Sequence, residues 1–210
     1  MYPNFTSRIV RAATLVVLIA SAGCATTRIS QDEQAAVEVI EIPAAVQSQY
    51  AQAVQQLEAG ELESAAGLFE AFVKAHPDYA SAYINLASIY DQQERDDDAL
   101  KMLARCLELD STNPVALNRL GMIKRRAGDF DAAESAWLSA IAANPDYPYA
   151  WYNLGVLYDL YLQDLPAALE HYQTYQRLSG SESDAAVDRW IADLETRIGS
   201  QPQTALARGL

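Results

Sequence analysis

From residue 46 onward the apolar positions of the chain return every 34 residues. Leu86, Leu120 and Leu154 share one column, and Ala87, Gly121 and Gly155 share the next. Ala82, Ala116 and Ala150 make a third column, and Tyr83, Leu117 and Trp151 a fourth. The second half of each period carries Ala65, Ala99, Ala133 and, after one inserted residue, Ala168; Phe69, Leu103, Trp137 and Tyr172 follow four residues later. Apolar residues three and four apart line one face of an α-helix, so each period predicts two antiparallel helices. Gly60-Glu61 and Gly128-Asp129 mark the turns between them. The glycine takes the left-handed conformation at a helix end, and the acid meets the N-terminal dipole of the next helix. Pro77 and Pro145 end second helices because proline has no N–H to continue them. The small residues in the Ala and Gly columns let neighbouring backbones approach.

This pattern resembles the tetratricopeptide repeat (TPR), and residues 150–155, AWYNLG, read like its consensus. The resemblance implies an all-α fold, a right-handed superhelical array of antiparallel helix pairs. The rows fall at 46–79, 80–113, 114–147 and 148–182, the first departing most because Gln52 replaces the usual leucine. A further amphipathic helix is expected over 183–199, with Val187, Trp190, Ile191, Leu194 and Ile198 on one stripe. It would cap the apolar face that the last repeat of an array exposes. Residues 200–210 read as a disordered tail. In row four the segment YDLYLQDLP (158–166) carries one residue more than its counterpart and no turn glycine. It is expected to extend or bulge the first helix, exposing Tyr161 or Leu162.

The N-terminus has a different character. Arg8 and Arg11 precede the apolar run AATLVVLIA (12–20), and the small residues Ser21, Ala22 and Gly23 lead to Cys24. A positive start, a short apolar core and small residues before a cut make a secretory signal, 1–23, too short to span a bilayer. Ser21-Ala22-Gly23-Cys24 resembles the lipobox of bacterial lipoproteins, although Ser21 stands where an aliphatic residue is usual. The resemblance implies a covalent lipid on Cys24, each buried methylene adding ~0.8 kcal/mol of membrane affinity. Ala25, where Asp would retain an enterobacterial lipoprotein at the inner membrane, implies the outer membrane. Residues 24–45 then read as a lipidated cysteine and flexible tether, of which 25–43 extend to roughly 65 Å at ~3.3 Å per residue.

Composition narrows the chemistry. Lys and Arg number 15 against 28 Asp and Glu, a net charge of −13. Loss of residues 1–23 removes two arginines and no acid, so −13 becomes −15. Nucleic-acid binding needs clustered positive charge, and the balance has the wrong sign. Two cysteines, two histidines and no Cys/His ligand spacing speak against a structural zinc site. No P-loop, GxSxG or HExxH occurs. His76 sits at a helix end and His171 beside the Tyr172 column, while Cys106 falls in a packing column and reads as a buried, inert thiol. The run Glu94–Asp98 reads as a solvated turn with N-terminal acids. The expectation is a protein without enzymatic activity, metal or cofactor beyond the lipid on Cys24, and without a small-molecule substrate.

In TPR folds the concave face carries function, and the resemblance places Asn85, Asn118, Arg119, Arg125, Arg126, Tyr149, Tyr152 and Asn153 there as candidate partner-binding residues. Asn85, Arg119 and Asn153 form a ladder spaced by 34 that could hydrogen-bond an extended peptide. Arg119, Arg125 and Arg126 are the one dense positive patch, whose alternative role is pairing with Asp91 and Asp159. Tyr149 and Tyr152 are candidate anchors. Co-chaperone TPRs grip a terminal carboxylate with an Asn, an Arg and two lysines. Asn85 and Arg119 match, but Tyr50 and Val115 replace the lysines, so that specificity does not carry over. The whole resembles small TPR lipoproteins of diderm bacteria that assist pilus secretins, accompany TonB/TolQ-type complexes or scaffold murein enzymes. The expected function is an adaptor for cell-envelope proteins on the periplasmic face of the outer membrane. The alternatives are an unanchored periplasmic peptide- or murein-binding module and a cytosolic module.

Overall fold

The computed structural model describes residues 42–180 and 185–200. The expected signal sequence, Cys24, most of the expected tether and the expected tail lie outside them. The described residues are all-α: α1 (Ala44–Glu58), α2 (Leu62–Ala75), α3 (Ala80–Gln92), α4 (Asp96–Leu109), α5 (Pro114–Arg126), α6 (Phe130–Ala143), α7 (Pro148–Leu157), α8 (Leu165–Ser179) and α9 (Ala185–Ser200). A π-helical turn, Tyr158–Leu162, separates α7 from α8. Each helix packs on the next, so the chain advances as four hairpins and a last helix. α3 also touches α5 and α5 touches α7, whereas the even-numbered helices make no comparable contact with one another. The odd helices are therefore the inner row of a curved array and the even ones its outer row.

Local chemistry sets the helix ends. Asn113, Asp129 and Asp164 each accept a hydrogen bond from a backbone N–H in the first turn that follows, at 3.0, 3.4 and 3.1 Å. Pro114 and Pro148 open α5 and α7, where the missing N–H has no helical partner to lose. Every turn within a hairpin carries one left-handed residue: Gly60, Glu94, Gly128 and Gln163, with φ of 79°, 58°, 79° and 56°. Glycine adopts that conformation freely, so Glu94 and Gln163 each carry a cost of about 1 kcal/mol.

The core runs the length of the array. One cluster joins α1–α4 to α5, a second joins α5–α7, and a third joins α7, α8 and α9. Leu107 packs against the first and second clusters, and Tyr158 against the second and third. Both ends are closed with polar surface. Gln52 is exposed on α1, the first helix of the described residues, which accounts for the departure of row one from the leucine column. At the other end Val187, Ile191 and Leu194 of α9 are buried on row four, while Trp190 stays partly exposed.

Two glycines make room for large rings of the paired helix. A Cβ on Gly121 would lie 2.5 Å from the Trp137 ring, and one on Gly155 2.5 Å from the Tyr172 ring. Gly67, on the exposed side of α2, has nothing within 4 Å of such an atom. Gly121→Ala and Gly155→Ala should therefore destabilise the protein by about 1–3 kcal/mol through overpacking. Gly67→Ala should stabilise it by up to about 1 kcal/mol through helix propensity. Urea unfolding followed by circular dichroism reads both signs.

Candidate partner-binding groove

The inner helices bring the candidate residues onto one side but use them unequally. Asn85 is wholly buried, its amide donating to the Tyr50 hydroxyl at 2.8 Å. Asn153 is buried too and donates to the Asn118 carbonyl oxygen at 2.9 Å. The backbone carbonyl of Asn118 accepts the Trp137 indole N–H at 3.1 Å. These asparagines thus join one inner helix to the next. The ladder expected from the spacing of 34 is replaced by pairs spaced by 35, position six of one row meeting position five of the row before. Arg119 interrupts it: the residue 35 before it is Ile84, a buried side chain with nothing to accept. The hydroxyl of Tyr50, at one of the missing lysine positions, is likewise engaged with Asn85.

The arginine patch divides in the same way. Arg126 bonds Asp91 and Asp96, both at 2.5 Å, and these carboxylates hold its guanidinium well above its ordinary pKa. Asp159 pairs at 3.3 Å with Arg197 of α9, so the acid expected opposite Arg125 is bound elsewhere. Arg125 is half-buried, its guanidinium 5.9 Å from the centroid of the buried Trp137 ring. Among the described residues no carboxylate forms an ion pair with it. Arg119 is half-buried beside Tyr147. Burial pushes the Tyr147 hydroxyl up to about 12, against the opposing pull of the Arg119 charge.

Of the two tyrosines, Tyr149 is 51% exposed with its ring edge-on to Tyr147 at 5.6 Å. Tyr152 is half-buried and belongs to an aromatic cluster at the end of the array, 5.2 Å from Tyr175, 6.3 Å from Tyr172 and 6.2 Å from Trp190. The open surface of the groove is thus Arg125, Tyr149, the accessible part of Arg119 and the rim of the Tyr152–Trp190 cluster. Trp190 was placed by sequence only on the packing stripe of the cap; its aromatic neighbours, brought from the two helices of row four, were the missing signal.

Row four bulges as the inserted residue implied. Its π turn exposes Leu160, Tyr161 and Leu162 together, with Tyr161 on Phe130 at 4.8 Å between ring centroids. His76 caps the C-terminus of α2, the helix end where sequence put it, with its ring 3.3 Å from Gln49 of α1 and tilted or edge-on to Phe72 and Tyr79. Cys106 is buried, and desolvation pushes its thiol up to about 12. Among the described residues no group of three or more His, Cys, Asp or Glu is placed to hold a metal. Within the same residues no helix is long and apolar enough to cross a membrane.

His171 lies between the rings of Trp151 and Tyr158, at 5.6 and 5.2 Å. Burial lowers its pKa below the ordinary 6.5, against a smaller upward pull from Glu170, Glu134 and Asp164. The folded chain then binds fewer protons than the unfolded chain just below that value. The stabilisation is fully present above pH 6.5 and is lost as the pH falls through it towards the folded value. Urea unfolding at about pH 7.5 and about pH 5.5 should show the wild type losing more stability than His171→Phe between the two.

Known proteins share this architecture. The tetratricopeptide repeat family model matches residues 50–114 and 118–183. A peroxisomal targeting signal receptor of Komagataella phaffii is 40% identical over 67 residues, 31% of this chain and 12% of the receptor. The chain thus spans about an eighth of the length of that relative. The PilF structure of Pseudomonas aeruginosa is 22% identical with a TM-score of 0.65, covering 74% of this chain and 69% of PilF. The first TPR of Spaghetti (RPAP3), solved bound to the HSP90 peptide SRMEEVD, is 22% identical with a TM-score of 0.52. That match covers 58% of this chain and 94% of the other.

Proposed function

The chain belongs to the tetratricopeptide repeat family, and on that premise we propose that it is a non-catalytic adaptor, lipid-anchored through Cys24 at the periplasmic face of the outer membrane, that holds a protein partner of the cell envelope in its concave groove. One observation carries the groove: Arg125 lies half-buried over Trp137 with no ion-pair partner among the described residues, while Arg126 beside it is fully engaged. A cation positioned by an aromatic ring and spared by the fold's own acids is suited to an incoming carboxylate. Tyr149 adds a rigid, accessible aromatic surface for an apolar side chain. An extended segment bearing a carboxylate and an apolar residue matches both. The Spaghetti (RPAP3) complex, in which a TPR holds a peptide containing two glutamates and an aspartate, supports an acidic segment as the cargo. The partner contacts differ from a carboxylate clamp, because Tyr50 and Val115 supply no ammonium groups.

The anchor is supported by Arg8 and Arg11, the apolar run 12–20 and Ser21-Ala22-Gly23-Cys24. Nineteen residues, 25–43, separate Cys24 from α1. Fully extended they reach roughly 65 Å, enough to let the array meet a partner clear of the headgroups. The adaptor role needs no catalytic group: His171 is enclosed by aromatic rings and the Cys106 thiol is buried.

Two measurements test the two halves of this reading. With radiolabelled palmitate, the wild type should be acylated and sediment with outer membranes, whereas Cys24→Ala should be unlabelled and soluble. If both are unlabelled and soluble, the anchor is wrong and the array is a free peptide- or murein-binding module. For the groove, a photo-crosslinking residue at Tyr149 should capture an envelope protein. Arg125→Glu should lower the yield about 10- to 100-fold, the loss expected for one charge-assisted hydrogen bond. An unchanged yield would remove Arg125 from the binding surface.

A further inference from the structure

The π turn of row four and the outer face of α6 form a second surface, apart from the groove. The π turn leaves Leu160, Tyr161 and Leu162 exposed by 64%, 46% and 40%. Tyr161 leans on Phe130, the first residue of α6, and the Tyr158 hydroxyl donates to Glu134 one turn further along. From there Asp131, Glu134, Leu138 and Ala142 line a shallow depression of about 490 Å³ on the outside of α6. Leu138, itself exposed, lies about 12 Å from Phe130 at 1.5 Å per residue. Apolar residues thus stand at both ends of a strip with two carboxylates between them.

Folding does not require the apolar residues at the turn. The other three hairpins reverse with Ala59-Gly60, Gln93-Glu94 and Ala127-Gly128. Row four instead has an inserted residue, a π turn and three adjacent large apolar side chains facing water. Contiguous exposed apolar surface marks an interaction site, and π insertions recur at functional positions. Along the chain the charge here is one-sided. Residues 127–176 contain seven acids and neither Lys nor Arg. Among the described residues, only Asp129 and Asp159 of these acids are paired with cations from outside the stretch, Lys124 and Arg197.

We propose that the π turn and the outer face of α6 dock a cationic amphipathic helix of a partner protein, its apolar side chains on Leu160, Tyr161 and Leu138 and its lysines or arginines against Asp131 and Glu134. Charge selects this occupant. A basic helix gains attraction where an anionic lipid surface is repelled, and a second copy of the chain would bring the same acidic strip against itself. Helix-in-groove recognition reads apolar residues at i, i+3, i+4 and i+7, a length comparable with the strip. This site is independent of the concave groove, and the two could hold one partner at two places.

The test uses the full chain and a labelled synthetic helix with leucines on one face and lysines on the other, read by fluorescence anisotropy. A companion helix carries glutamates in place of the lysines. The lysine helix should bind more tightly at low salt than at high salt, and the glutamate helix should not bind. Leu160→Ser with Leu162→Ser, and separately Asp131→Lys, should each weaken binding about tenfold or more with unchanged circular dichroism. Asp97→Lys, on the exposed first turn of α4, should leave it unchanged and so exclude general attraction to an acidic protein. The proposal is overturned if all variants bind alike, or if the lysine helix does not bind. It is equally overturned if sedimentation shows a dimer that the leucine variant dissolves, which would make this face a contact between copies.

Discussion

The array depends on matching side-chain volumes where the two helices of a hairpin cross. The inner helix offers Ala53, Ala87, Gly121 or Gly155, and the outer helix answers with Phe69, Leu103, Trp137 or Tyr172. Glycine meets the indole or the phenol, and the repeat sets alanine in the positions equivalent to those glycines where the outer helix carries phenylalanine or leucine. At native packing density a missing methyl on one side must be filled from the other. The resulting contact fixes the separation of the helices, and with it the curvature that gathers the odd helices on the inside. Everything on the inner surface inherits its position from those four contacts.

Successive inner helices are then tied by polar pairs that alternate in kind. Asn85–Tyr50 and Asn153–Asn118 join rows one to two and three to four. Arg126 with Asp91 and Asp96 joins row two to row three, and Arg197 with Asp159 joins row four to α9. Buried amides require partners, so the asparagines are committed to the fold. The ion pairs are partly exposed and each contributes on the order of 1 kcal/mol or less, enough to set register more than stability. The alternation decides what remains for a ligand. It consumes Arg126 and leaves Arg125.

The 34-residue period made the helices, the hairpins and the cap legible, because a repeat that cannot bury its apolar face alone must write that face into every copy. Gly121 and Gly155 were legible as points of close approach, although what approaches them is a ring, of Trp137 or Tyr172, and not a backbone. The groove was harder to read. Spacing put Asn85, Arg119 and Asn153 in one column, but a column is a direction along the array and a hydrogen bond crosses between columns, as the offset of 35 shows. Tyr152 looked accessible because α9 is not in the repeat, and the aromatic rings that cover it come from α8 and α9. Arg197 was likewise invisible as the partner of Asp159, lying beyond the inserted residue that breaks the register.

That insertion gives the array two unlike surfaces. The groove presents Arg125 held over the Trp137 ring, in a protein whose overall charge would repel an acidic segment elsewhere. The row-four turn and α6 present apolar and acidic side chains within residues 127–176, a stretch that holds neither Lys nor Arg. A partner with an acidic extended segment and a basic helix would therefore have one allowed orientation, since exchanging the two contacts would set like charges against each other at both. Neither surface need bind tightly. Joined in one partner, the second contact forms at the effective concentration set by the first, and modest affinities multiply into a specific attachment. Such a division suits a rigid array, because the distance between the sites is fixed by helix packing and cannot adjust to a partner with the wrong spacing.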